Sequence, residues 1–326
     1  MIHAKVVETT RRRFLTATMV AGIMSGEENR SATALSSFGP DAKAILRTVL
    51  TDRNYRGRVQ ASEVTALMKA DQLTREALML KLLPVAQSFA YPPLSNFFVG
   101  AVALGNSGSF YLGCNIEIPG NMLGLATHAE QAAIANAYMS DESGVEALTA
   151  GAAPCGHCRQ FLSEVSLDLS MRLIMKDGSS VKLSELLPQA FGPRNLGFTH
   201  GSFPVKRARL SLASDSNDAL VREALKAACD AYSPYSRSPS GVALSTTTGR
   251  IFSGSYIENA AFNPSLPPLE TALAGYFAAR PHAGEIQRAV LVEGDKRGIS
   301  QRTTTASALA MLAPAVRLEA FSLSSS

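Results

Sequence analysis

Residues 91–117 read YPPLSNFFVGAVALGNSGSFYLGCNIE, and residues 232–258 read YSPYSRSPSGVALSTTTGRIFSGSYIE. Laid over each other without gaps at a constant offset of 141, they agree at Tyr91/Tyr232, Pro93/Pro234, Ser95/Ser236, Gly100/Gly241, Gly108/Gly249, Gly113/Gly254, Ile116/Ile257 and Glu117/Glu258. Three of these pairs are glycines at turn or close-approach positions, as a shared backbone path requires. The chain therefore carries one structural unit twice.

Inside the first copy, Phe98–Leu104 predicts a strand, Gly105-Asn106-Ser107-Gly108 a hairpin turn, and Ser109–Asn115 the returning strand, which delivers Asn115 and Glu117 to an edge. Thr74–Ala90 predicts a helix with Thr74 as N-cap and Leu78, Leu82 and Val85 on one stripe. Further on, Thr127–Met139 predicts an Ala-rich helix, Val145–Ala152 a strand, Cys155–Val165 a second helix and Arg172–Met175 another strand. Strands alternating with helices imply an α/β layer fold. Upstream, Ile45, Leu46, Val49 and Leu50, then Val64, Leu67 and Met68, recur at helical spacing. Between the copies, Phe191–Asp218 is rich in Gly, Pro, Ser and basic residues and reads as a connector. The chain thus divides into an arm at 1–40, a helical cap at 41–73, a first domain at 74–194, a linker at 195–212 and a second domain at 213–326.

With 326 residues, 46% of them hydrophobic, the chain has material for two cores. Its 31 basic and 27 acidic residues are interspersed, so no basic stripe marks a nucleic-acid groove. No apolar run approaches the roughly 20 residues that cross a bilayer. Four cysteines, two of them in a C-x-x-C, do not form a disulfide framework, and they point to a reducing, cytoplasmic setting. Arg11, Arg12 and Arg13 followed by Phe14 and Leu15 resemble an export or organellar leader. The preferred reading is a start at Met24, with a polar, disordered arm over residues 24–40.

Only the first copy contains Thr127-His128-Ala129-Glu130 and Pro154-Cys155-Gly156-His157-Cys158. One imidazole and two thiolates suit tetrahedral zinc and leave the fourth position open for water, as catalytic sites do. Cys155 and Cys158 lie at a helix start, where the positive helix end favours thiolates. Glu130 is too close to His128 to be a further ligand of one compact site and is placed to shuttle protons. A lone C-x-x-C also serves as a redox pair or half a structural zinc site, and H-x-E alone says little; together they favour an open metal site. His157 would be cramped as a fourth ligand. Cys114 and Cys229 have no partner at ligand spacing and read as small core residues.

The H-x-E and P-C-x-x-C pair is the signature of zinc deaminases acting on cytosine or adenine. With Leu94-Ser95-Asn96-Phe97, Asn115-Ile116-Glu117, His128-Ala129-Glu130-Gln131, Ala153–Phe161 and Asn259–Pro264, the chain from about residue 41 onward closely resembles the long, homodimeric cytidine deaminases. That resemblance implies a three-layer α/β/α cytidine-deaminase-like fold duplicated in tandem behind a small helical segment. It implies hydrolytic deamination of cytidine and deoxycytidine in pyrimidine salvage, one zinc ion per subunit, a small nucleoside substrate rather than nucleic acid, and a homodimer. It further implies Asn115 and Glu117 on the ribose 3′-hydroxyl, Phe97 against the pyrimidine, and main-chain groups of Ala129 and Ala153 on the base carbonyl and the departing amino group. In the second copy Pro268-Leu269-Glu270 takes the place of His-Ala-Glu, Ser238 that of Phe97 and Tyr256 that of Asn115, so this half is a degenerate domain. Phe191 and residues around Phe262 are expected either to reach a partner's active site or to be plain core aromatics. The rival readings are a polynucleotide deaminase and a non-catalytic zinc scaffold.

Overall fold

In both copies, glycine sets how closely a helix lies on its sheet. The computed structural model describes residues 30–294 and 299–324, so the leader and alternative-start expectations for residues 1–29 lie outside the described residues. The end of the expected disordered arm is instead ordered: residues 30–35 are helical, and Ala34, Leu35 and Phe38 are buried in the core because their apolar side chains pack against it. The first copy runs α3 (Arg75–Ser88), β2 (Gly100–Gly105), β3 (Phe110–Cys114), α4 (Ala129–Tyr138), β4 (Val145–Ala150), α5 (Gly156–Val165), β5 (Arg172–Ile174) and β6 (Ser180–Lys182). Ahead of it stand α1 (Pro40–Thr51), β1 (Arg58–Val59) and α2 (Ala61–Asp71). The second copy runs α6 (Ala219–Cys229), β7 (Ser240–Thr246), β8 (Ile251–Ser255), α7 (Pro268–Ala278), β9 (Ile286–Glu293), α8 (Arg302–Leu312) and β10 (Leu318–Ser322).

The first sheet has the order β1-β3-β2-β4-β5-β6 and the second β10-β9-β7-β8. Both pair a hairpin antiparallel to a third strand, which then takes a parallel neighbour: β4 with β5, β9 with β10. The duplicated α/β architecture is therefore present. A Cβ on Gly100 would stand 2.3 Å from Gln87 N of α3, and one on Gly241 2.3 Å from Ala228 N of α6. Likewise Gly113 and Gly254 would meet Ala133 N of α4 at 2.1 Å and Ala272 N of α7 at 2.2 Å. At such distances only glycine lets the helix backbone touch the strand. The predicted Thr74 cap is also present, its Oγ1 accepting the Ala77 N–H at 3.2 Å.

The helix contacts correct one register. Gly113 lies against Ala129 and Ala133, whereas Gly254 lies against Pro268 and Ala272. The loop between the bridges Ile116↔Thr127 and Ile257↔Leu266 is two residues shorter in the second copy, so beyond it the offset drops to 139. Pro267, the N-cap of α7, therefore matches His128, the N-cap of α4. Leu269 matches Glu130, and Glu270 matches Gln131, not Glu130. The deletion falls just beyond the well-matched stretch, where the sequence carries no marker for it.

The cap is more than helices, since β1 adds an edge strand antiparallel to β3. One apolar cluster joins Leu46 and Leu67 of the cap, Leu82 and Leu112 of the first copy, and Phe252 and Leu273 of the second. Arg56 fastens the cap loop to the second copy by donating twice to the Ile251 carbonyl, at 3.2 and 2.7 Å. Among the described residues no helix is long and apolar enough to cross a membrane.

Candidate active site

Two helix starts bring the sequence-predicted ligands together. His128 caps α4 in extended backbone conformation, its N–H donating to Gln131 Oε1 at 3.1 Å. Cys155 occupies the same position ahead of α5. His128 Nδ1 then lies 3.5 Å from Cys155 Sγ and 3.3 Å from Cys158 Sγ, and the three atoms fall within 4.8 Å of one another. Nitrogen and sulfur ligands on a tetrahedral zinc stand about 3.5 Å apart when bound at about 2.0 and 2.3 Å, so this spacing fits the metal. The donor chemistry fits too: burial pushes the Cys158 thiol well up, reinforced by Glu130 and Cys155, and a coordinated cation is what holds such a group as thiolate. Cys155 stands exposed at the rim. Among the described residues this is the one His/Cys/Asp/Glu group of three at ligand spacing.

Glu130, in the first turn of α4, is buried beside this cluster. Burial pushes its carboxyl up; its own backbone N–H, the His128 imidazole and the Cys158 thiol pull the other way. The net shift is upward, so this carboxyl takes up a proton more readily than a free one, as a proton shuttle must. His157 stands outside the cluster, its ring 5.7 Å from that of His128, and burial lowers its basicity. Cys114 is buried on β3 and Cys229 ends α6; neither joins the cluster.

Asn115 and Glu117 hold the loop that presents Phe97. Asn115 Oδ1 accepts Val99 N–H at 2.9 Å and its Nδ2 donates to the Phe97 carbonyl at 2.9 Å. Glu117 Oε2 accepts Leu94 N–H at 2.8 Å and Ser95 N–H at 3.0 Å, while Oε1 accepts the Ser95 hydroxyl at 2.5 Å. Phe97 itself is 61% exposed. Ala129 is buried at the start of α4 and Ala153 is exposed just ahead of Cys155. The clamp recurs in the second copy, where Glu258 Oε2 accepts Tyr235 N–H at 2.8 Å and Ser236 N–H at 3.2 Å. The identical Ser–Glu pairs of the repeat thus mark a loop clamp common to both halves. Gln131 was missed as the partner of the His128 N–H, although its spacing of three from a cap position is the capping-box signal.

Two family models, each described as the cytidine and deoxycytidylate deaminase zinc-binding region, match residues 72–171 and 183–306. A protein from Aliivibrio fischeri named cytidine deaminase is 39% identical over 300 residues, covering 92% of this chain and all of that one. Another so named, from Sodalis glossinidius, is 41% identical over 294 residues, covering 87% of this chain and 95% of that one.

Proposed function

The chain belongs to the cytidine deaminase family, and from that premise we propose that His128, Cys155 and Cys158 hold one zinc ion per subunit while Glu130 carries the protons. The reaction is the hydrolytic deamination of cytidine to uridine and ammonia, and zinc is the cofactor. The observation that carries the residue assignment is the convergence of His128 Nδ1 on both cysteine sulfurs with the buried Glu130 beside them. Bound zinc supplies Lewis acidity that brings the pKa of a water toward 7.

Glu130 accepts the first proton of the attacking water as it adds to C4 and passes it to N3; it then takes the remaining proton from the C4 hydroxyl as the carbonyl forms and delivers it to the amino group, which leaves as ammonia. Phe97 covers one face of the pyrimidine. Asn115 and Glu117 keep lone pairs beyond their loop contacts, and the ribose 3′-hydroxyl is read by them; main-chain groups of Ala129 and Ala153 hold the base carbonyl and the leaving amine. An amide beside a carboxylate both donates and accepts, which suits a hydroxyl and rejects substrates that lack it. Deoxycytidine retains the 3′-hydroxyl and is expected to react as well.

The working unit is a homodimer in the cytoplasm, serving pyrimidine salvage, with Phe191 and the Phe262 loop closing the partner's site. Purified protein is tested with cytidine, deoxycytidine and single-stranded DNA, following loss of cytosine absorbance and release of ammonia. Turnover of the nucleosides and not of the DNA is expected; no turnover of either nucleoside overturns the reading.

A further inference from the structure

Helix α5 is fastened at both ends. Its N-cap and first turn carry Cys155 and Cys158, and its last turn carries Glu164, whose side chain is wholly buried. Glu164 Oε1 accepts the Tyr232 hydroxyl at 2.6 Å and the Tyr235 hydroxyl at 2.5 Å; Oε2 accepts Ala260 N–H at 3.0 Å. All three donors belong to the second copy. One turn earlier, Gln160 Nε2 donates to Asn259 Oδ1 at 3.2 Å, and Asn259 Nδ2 returns a bond to the Gln160 carbonyl at 2.9 Å. Asn259 and Ala260 open the loop that carries Phe262, which adopts a φ of +64°. A buried carboxylate is tolerated only when its lone pairs are met, and here two phenols and an amide do so where an ion pair would otherwise serve.

We propose that Glu164 is a positioning residue for the metal centre, setting Cys155 and Cys158 against His128 by tying their helix to Tyr232, Tyr235 and Ala260. The proposal rests on the reading of those three residues as the zinc site. A ten-residue helix moves as a rod, so what fixes its last turn also fixes the cysteines at its first. His128, by contrast, belongs to α4 and follows a different set of contacts. The second copy, which lacks the metal ligands, thereby keeps a part in the chemistry: it aims one of the two helices that bear them. Outer groups that orient metal ligands typically change metal affinity about 10- to 100-fold when removed.

The test is zinc release from the holoprotein to a colorimetric chelator, well below the melting temperature, with melting curves recorded in parallel. Tyr232→Phe/Tyr235→Phe keeps both rings and strips two of the three donors; it is expected to release zinc at least about tenfold faster. Glu164→Gln can still accept from Ala260 and donate to the phenol oxygens, so its release is expected to fall between the two. If the double variant does not fold, Tyr235→Phe alone is expected to show a smaller acceleration. Release at the wild-type rate from the folded variants, with only the melting temperature lowered, overturns the proposal. Wild-type protein that binds no zinc overturns the metal-site reading instead.

Discussion

Glu130 sits where burial raises its carboxyl and the His128 imidazole lowers it, a balance suited to a group that must hold a proton for part of each turnover. Glu130→Gln keeps the shape and the hydrogen-bonding reach and removes only the exchangeable proton. It is expected to bind zinc as wild type does and to lose about 10²- to 10⁴-fold or more in kcat; metal per chain and ammonia release, measured on the same preparation, decide it. Cys158→Ala should do the opposite, losing metal first and activity in consequence. Near-native kcat in the glutamine variant would end the shuttle role. At this scale the sequence was informative because chemistry needs particular side chains: the members of the His128/Cys155/Cys158 cluster and the Glu130 beside it were visible as types at fixed spacings. What it hid was double use. Glu117 was read only as a substrate contact, yet its carboxylate holds Leu94 and Ser95 in place, and the preserved Ser95/Glu117 and Ser236/Glu258 pairs are where that could have been seen.

Between residues and the whole stand the helices that bear the site, placed by contacts too close for any side chain. A methyl at Gly113 would stand 2.1 Å from Ala133 N and 2.4 Å from Ala129 O, both on α4. Gly113→Ala must push α4 off the sheet and carry His128 and Glu130 with it. A loss of about 3 kcal/mol or more in unfolding free energy is expected, with weakened zinc binding; urea titration and metal content check both. The same helix packs on α7 of the second copy, where Glu270 is buried against the Thr127 hydroxyl at 3.4 Å. Burial holds that carboxyl well above its ordinary 4.5, so the folded protein keeps its proton while the unfolded chain ionises. Stability from this group is whole below about 4.5 and is lost as pH rises toward the folded value. Glu270→Gln has no proton to lose, so its advantage over wild type should be absent near pH 4.5 and grow above it by up to about 1.4 kcal/mol per pH unit. Unfolding curves across that range give the answer; a difference that stays flat with pH would refute the assignment. The sequence placed Glu270 over Glu130, and only the helix contacts moved it onto Gln131, because register after a shortened loop is decided by packing.

Taken whole, the molecule shows which level of organisation its sequence exposed. The duplication was legible because glycines at strand–helix contacts cannot drift, and the candidate metal cluster because the H-x-E and P-C-x-x-C residues occur in one copy only. The edge strand Arg58–Val59 and the core shared by the cap and both copies were not legible, since two-residue strands have no period and shared cores depend on contacts distant in sequence. The same limit applies to the surface. Leu94, Phe97, Met122, Leu123, Phe191 and Phe262 are all exposed, and all six lie on loops outside the strands and α-helices. Gln160 bonds both the Phe191 carbonyl, at 2.6 Å, and Asn259, so Phe191 and the Phe262 loop are presented from the helix that bears the cysteines. Large aromatic and aliphatic side chains gathered on such loops mark a surface made to be covered, and a second copy of this chain is the expected cover. Light scattering should give twice the chain mass. Phe262→Asp places a charge that cannot be buried unpaired, and is expected to shift the mass toward the single chain and raise KM for cytidine while zinc content stays at the wild-type value. A wild-type protein that runs at the single-chain mass while turning over cytidine at full rate would show that these loops close the site without a partner.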